Sequence, residues 1–159
     1  MAVVLENSQL VWQKVKNALA NANPADQAAF KGLKEYLSTQ GRNPDLQYIS
    51  FSEAQAIANG GTDLTAAACT LYGFYARASR TSGTTSAFVA LHASGTNGAT
   101  TTTIVTGRIK AVNHAFVYTS VRGLPVETGL TISAATAVGG STESTTPDGA
   151  DGFVVIGAA

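Results

Sequence analysis

Apolar residues in this chain change their spacing part-way along it. Ahead of residue 60 they recur every three to four positions, and beyond it they alternate. The first spacing buries one stripe of a helix and the second buries one face of a strand, so the two parts must fold differently. Charge follows the same division. Ten of the twenty charged side chains, Glu6 to Glu53, precede Thr62, while Thr, Ser and Gly crowd the longer remainder. The shift falls at Asn59-Gly60-Gly61, a strong turn signal.

The first part reads as a helical hairpin. Ser8 is placed to cap a helix whose apolar positions are Val11, Val15, Ala18 with Leu19, and Ala22. A second helix has Asn23 as N-cap, Pro24 at its first position and Asp26 near the positive end of its dipole. Its stripe is Phe30, Leu33 and Leu37; Gly41 suits the left-handed stop, and Pro44 forbids continuation. Trp12 and Tyr36 are left to pack at the ends of the hairpin. Gln47–Phe51 then alternates as a strand, and Ser52–Ala58 suits a short turn of helix.

From Thr62 the alternation puts Cys69, Leu71, Gly73, Tyr75 and Arg77 on one face of a strand and Thr70, Tyr72, Phe74 and Ala76 on the other. Neither face is cleanly polar, so the strand is expected to be covered on both sides. Ser86–His92 is expected to return as its hairpin partner. Further strands are expected at Thr102–Thr106, Ala115–Ser120, Leu130–Ala135 and Phe153–Ile156. Their links carry Gly, Pro or Asn, as in Arg122-Gly123-Leu124-Pro125. Thr100–Thr103, β-branched and polar, fits an exposed edge. The expected fold is α+β: residues 1–46 a helical region, residues 47–159 an antiparallel, jelly-roll-like β-sandwich.

Composition excludes several function classes. Acids and bases balance at ten each, leaving no net field to draw nucleic acid or an anionic membrane. Charged residues are only 13 % of the chain, which suits a protein whose faces meet other protein faces. No apolar run approaches the roughly 20 residues needed to cross a bilayer. Cys69 is the single cysteine, which removes an intrachain disulfide and a cysteine-based zinc site, and its apolar run reads as a buried thiol.

Catalytic chemistry is hard to assemble from what remains. The two histidines, His92 and His114, have neither a second histidine nor a carboxylate at ligand spacing, and each is expected to sit at a rim bonded to backbone. No nucleophile elbow, phosphate-binding loop or zinc-protease helix is present. Asp148 and Asp151 lie in a glycine-rich loop with Glu143 nearby, too few oxygens for calcium, and a plain turn into Phe153 is the simpler reading. Gly139-Gly140 precedes a Ser/Thr loop rather than a capped helix, so it makes no phosphate cradle. Tyr72, Phe74 and Tyr75 suit a core better than a stacking platform. The chain is expected to be no enzyme and to need no cofactor or metal.

Three stretches carry a resemblance: Cys69-Thr70-Leu71-Tyr72-Gly73-Phe74-Tyr75 with the hairpin to Phe88–Leu91, then Gly129–Ala137, then Asp151–Gly157. Over residues 66–159 the chain resembles the β-sandwich virion proteins of tailed bacteriophages, a capsid decoration (cement) protein or a related head-fibre domain. The resemblance implies a homotrimer on the outside of the capsid, with the major capsid protein as partner and no nucleic acid or membrane. The alternative it allows is a receptor- or glycan-binding module of a fibre. The apolar, β-prone segment Ala2, Val3, Val4 and Leu5 has no place in the helical stripe and is the candidate capsid contact.

Overall fold

In a computed structural model of the protein, residues 7–40, 46–52, 62–78, 87–94, 103–109, 115–135 and 150–158 are described. They form two helices, α1 (Asn7–Ala18) and α2 (Pro24–Thr39), and eight strands. The strands are β1 (Gln47–Phe51), β2 (Thr62–Thr65), β3 (Cys69–Ala78), β4 (Ala87–Ala93), β5 (Thr103–Ile109), β6 (Ala115–Val126), β7 (Leu130–Ala135) and β8 (Ala150–Ala158). Two antiparallel sheets of four strands result, ordered β1-β8-β3-β6 and β2-β7-β4-β5. The fold is α+β with a sheet-rich core.

Strand pairing is nested. β1 pairs with β8, β2 with β7, β3 with β6 and β4 with β5, and the ladders β3·β8 and β4·β7 complete the two sheets. The chain therefore behaves as one long antiparallel hairpin, with successive double-stranded stretches assigned to alternate sheets. This overturns the expected β3–β4 hairpin. β4 leaves the sheet of β3 and pairs with β5 and β7 instead, a choice between neighbours that local alternation cannot make.

The helices form for the reasons their sequences supply. Asn23 Oδ1 accepts from Ala25 N–H at 3.0 Å, and Pro24 opens α2 without losing a needed donor. Gln27 Nε2 reaches back to donate to Leu19 O at 2.7 Å, a carbonyl that also accepts from Ala22 N–H at 3.0 Å, so the turn after α1 is tied to α2. α1 begins at Asn7, so Ser8 lies inside its first turn rather than capping it. α2 ends at Thr39, and Gly41 and Pro44 lie outside the described residues, as does most of the expected Ser52–Ala58 turn.

Both helices cover the first sheet. Val11, Trp12 and Val15 of α1, Leu19 just after it, and Phe30, Leu33 and Leu37 of α2 pack in one cluster with Tyr72, Tyr75, Phe153 and Val155 of β3 and β8. Tyr36 stays exposed. The opposite face of that sheet packs on the second sheet through Leu71, Phe74, Val154 and Ile156 against Val89, Leu91, Ile132 and Ala134. The central strands β3 and β8 are thus covered on both sides, as the lack of a polar face in β3 implied.

Which face each β3 residue takes differs from simple alternation. The ladder register shifts between Leu71 and Gly73. Cys69 and Leu71 consequently share the inter-sheet core with Phe74 and Ala76, while Tyr72 and Tyr75 go to the helix side. A bulge adds one residue and inverts the parity beyond it. Facing it, β6 carries a longer excursion. Leu124 pairs with Leu71 and Thr119 with Gly73, so Ser120–Gly123 stand opposite Tyr72 alone. Gly123 has φ +77° and its N–H donates to Ser120 Oγ at 3.1 Å. The expected link at Arg122–Pro125 is therefore a bulge within β6, and pairing resumes beyond it. Pro125 is tolerated because β6 is an edge strand.

Candidate functional site

A row of polar side chains runs across the second sheet on the face turned away from the core. Along β4 the core takes Val89, Leu91 and Ala93, and along β7 it takes Leu130, Ile132 and Ala134. Alternation sends His92, Thr131 and Ser133 the other way. The register then aligns Asp63 with Thr131, Thr131 with His92 and His92 with Thr103, one residue from each strand in the order β2, β7, β4, β5. Two bulges set this alignment. The shift between Asp63 and Thr65 frees Leu64 for the core, and the shift at Leu91/His92 leaves Ile104 extra so that Thr103 meets His92.

The middle of the row is buried, Asp63 at one end is half-buried and Thr103 at the other is exposed, and the side chains bond across the strands. His92, Thr131 and Ser133 are 4 %, 0 % and 9 % exposed. His92 Nε2 lies 2.6 Å from Ser133 Oγ and Nδ1 lies 3.2 Å from Thr103 Oγ1. Whichever ring nitrogen carries the proton donates, and the other accepts from a hydroxyl. The Thr131 hydroxyl is within donating distance of Asp63 Oδ1 (3.2 Å) and Ser94 O (3.0 Å). Burial lowers the His92 pKa from its ordinary value, which keeps the ring neutral. The expected rim histidine bonded to backbone is thus a buried one bonded to two side-chain hydroxyls. A protein this polar between strands satisfies its groups with hydroxyls, because an unpaired one would cost about 1–3 kcal/mol.

A serine hydroxyl 2.6 Å from an imidazole is the contact a nucleophile makes with its base. Here the second ring nitrogen meets a threonine hydroxyl, not a carboxylate, and Asp63 engages Thr131 one strand away. With both partners more than nine-tenths buried, a substrate atom reaches the pair only if this face opens. The geometry positions and neutralises a histidine; it does not present a nucleophile.

On the helix side, Tyr48, Phe153 and Tyr75 stack with centroids 4.9 and 5.5 Å apart, and Phe30 closes on Phe153 at 5.2 Å. Tyr72, Phe74 and Tyr75, the three aromatics of β3, are buried and serve packing. Arg77 and Asp151 face each other across β3 and β8, with Nε to Oδ1 at 2.8 Å and Nη2 to Oδ2 at 3.4 Å. Asp151 lies within β8 and not in a turn ahead of Phe153. Burial raises the Cys69 pKa, so its thiol is inert between the sheets.

Among the described residues no group of three His, Cys, Asp or Glu is placed to hold a metal ion, and no helix is long and apolar enough to cross a membrane. Ala2, Val3, Val4, Leu5, His114, Gly139, Gly140, Glu143 and Asp148 lie outside the described residues. Reading the sequence alone missed Ser133, Thr131, Asp63 and Thr103. The alternation Leu130-Thr131-Ile132-Ser133-Ala134 signalled a polar face, but only the register says what it faces. No family model, curated protein or solved structure matches this chain.

Proposed function

We propose that this chain is a non-enzymatic structural protein of a virus particle that binds the outside of a tailed-phage capsid and stabilises it as a cement protein. The observation that carries the reading is the nested pairing of eight strands into sheets ordered β1-β8-β3-β6 and β2-β7-β4-β5. This order supports a jelly-roll reading, in which one antiparallel hairpin of four double-stranded stretches is rolled up, an architecture found in capsid and lectin domains. The step from architecture to function is analogy, supported by two features of this chain.

First, only 13 % of its residues are charged, so contact with neighbouring protein buries few ions. Second, its one described histidine is kept neutral by burial and bonded to two hydroxyls, an arrangement that serves rigidity. In this reading the protein is a homotrimer on the virion surface, its partner is the major capsid protein, and it needs neither cofactor nor metal. Ala2, Val3, Val4 and Leu5 make the apolar capsid contact. Burying three such side chains contributes roughly 3–6 kcal/mol before ordering costs.

Binding to empty, expanded phage heads tests the function. Full-length protein should co-sediment with heads, and deleting residues 2–6 should weaken that binding while leaving the circular-dichroism spectrum intact. No binding by the intact protein, with binding to a glycan array instead, would transfer the chain to the fibre-module class.

A further inference from the structure

The two sheets have four edges, β1 and β6 in one and β2 and β5 in the other. Exposed edges invite pairing with another chain, and proteins blunt them with charge, proline, bulges or shortness. Three edges carry such devices. β2 has four residues, a register shift and Asp63. β5 has a register shift and exposed Arg108. β6 has Pro125, exposed Arg122 and the Ser120–Gly123 excursion.

β1 has none. Gln47-Tyr48-Ile49-Ser50-Phe51 contains no charge, proline or glycine and pairs with β8 through five consecutive residues without a shift. Among the described residues, no strand pairs with its other side. Lys14 of α1 lies over the Tyr48 ring, 6.0 Å from its centroid, on the helix face rather than in line with the ladder.

We propose that β1 is an interaction edge whose occupant is β1 of a second copy, added antiparallel about a two-fold axis. The argument is self-complementarity. Paired with itself, β2 would carry two Asp63 side chains into the seam, and β5 and β6 two arginines each, whereas β1 carries no charge into it. Centred on Ile49, the pairing sets Tyr48 opposite Ser50 and Gln47 opposite Phe51. Each face of the first sheet then continues into its mate, with helix-side residues beside helix-side residues and core-side beside core-side. The result is one eight-stranded sheet with both outer edges formed by β6. Five residues at about 3.3 Å each give a contact of roughly 17 Å, short for a permanent dimer. It is suited to a weak contact repeated over a symmetric surface.

This inference is independent of the proposed trimer, and one measurement separates them. Sedimentation velocity is run on the full chain from low to high micromolar concentration, for wild type, Ser50→Lys and Gln47→Lys. Both substituted positions are exposed, and each lysine places a charge on the pairing edge. Wild type should double in mass with rising concentration, from three chains toward six or from one toward two. Each folded variant should need at least tenfold more protein to do so. A starting mass of one chain sinks the trimer and leaves the edge standing. Equal concentration dependence in wild type and either variant, with far-ultraviolet circular dichroism unchanged, overturns the β1 edge. Ser50→Thr, an uncharged β-former, should associate like wild type, and loss of association there would overturn it as well.

Discussion

His92 shows how one buried side chain ties stability to pH. Its folded pKa is depressed by burial, whereas in the unfolded chain it titrates near 6.5. Between these two values the unfolded chain binds the extra proton, so stability is complete above about pH 6.5 and falls as the solution is acidified through that window. The slope from one such group is at most about 1.4 kcal/mol per pH unit. Ser133 and Thr103 can accept from a doubly protonated ring but bring no negative charge to offset it. Thermal melting at pH 7.5 and pH 5 should therefore show a larger loss for wild type than for His92→Gln, which cannot titrate. Parallel losses would mean that His92 does not govern acid sensitivity. The aspartate at position 63 does not change this sign, because it lies two strands away and engages Thr131.

At the scale of elements, the meeting of β5 and β6 depends on an absence. A Cβ built on Gly107 would fall onto the Phe116 ring, and Phe116 itself sits edge-on to Phe74 at 5.8 Å in the core. Gly107 is thus the seat of an aromatic ring that ties an edge strand of one sheet to an edge strand of the other. Overpacking of this kind costs about 1–3 kcal/mol. Gly107→Ala should lower the urea midpoint accordingly, and combining it with Phe116→Leu should recover part of the loss, since the partner shrinks. Additive losses in the double variant would show that ring and glycine are not coupled. Gly73 plays a similar part under α2, where an added Cβ would stand 2.7 Å from Phe30 Cε1. The helix lies close to the sheet there because β3 offers no side chain.

For the molecule as a whole, the helices and the sheets should unfold together. Six apolar residues of α1 and α2, with Leu19 between them, share one buried cluster with β3 and β8, and those same strands form the inter-sheet core on their other face. Trp12 is the single tryptophan of the chain and is buried in the helix-side cluster. Its fluorescence therefore reports helix docking, while near-ultraviolet signals from Phe and Tyr report both clusters. The two transitions should coincide in urea, the mark of one cooperative unit. Trp12 fluorescence changing at clearly lower urea than the remainder would show the helices to be a separable layer.

Much of this was open to reading in the residues themselves. Helical spacing, the Asn23-Pro24 start and the Phe30, Leu33, Leu37 stripe determined α2, because hydrogen-bonding and burial within one helix depend on residues a few positions apart. Alternation placed β1, β7 and most of the other strands for the same local reason. Tertiary structure alone decided which strands are neighbours, sending β4 to β5 and β7 instead of β3. It also decided where parity flips: the bulge beyond Leu71 moved Phe74 to the core and Tyr75 to the helices. The polar row of Asp63, Thr131, His92 and Thr103 arises from both decisions at once. Pairing energy between strands lies in contacts between residues distant in sequence, and a single added residue turns every later side chain to the opposite face.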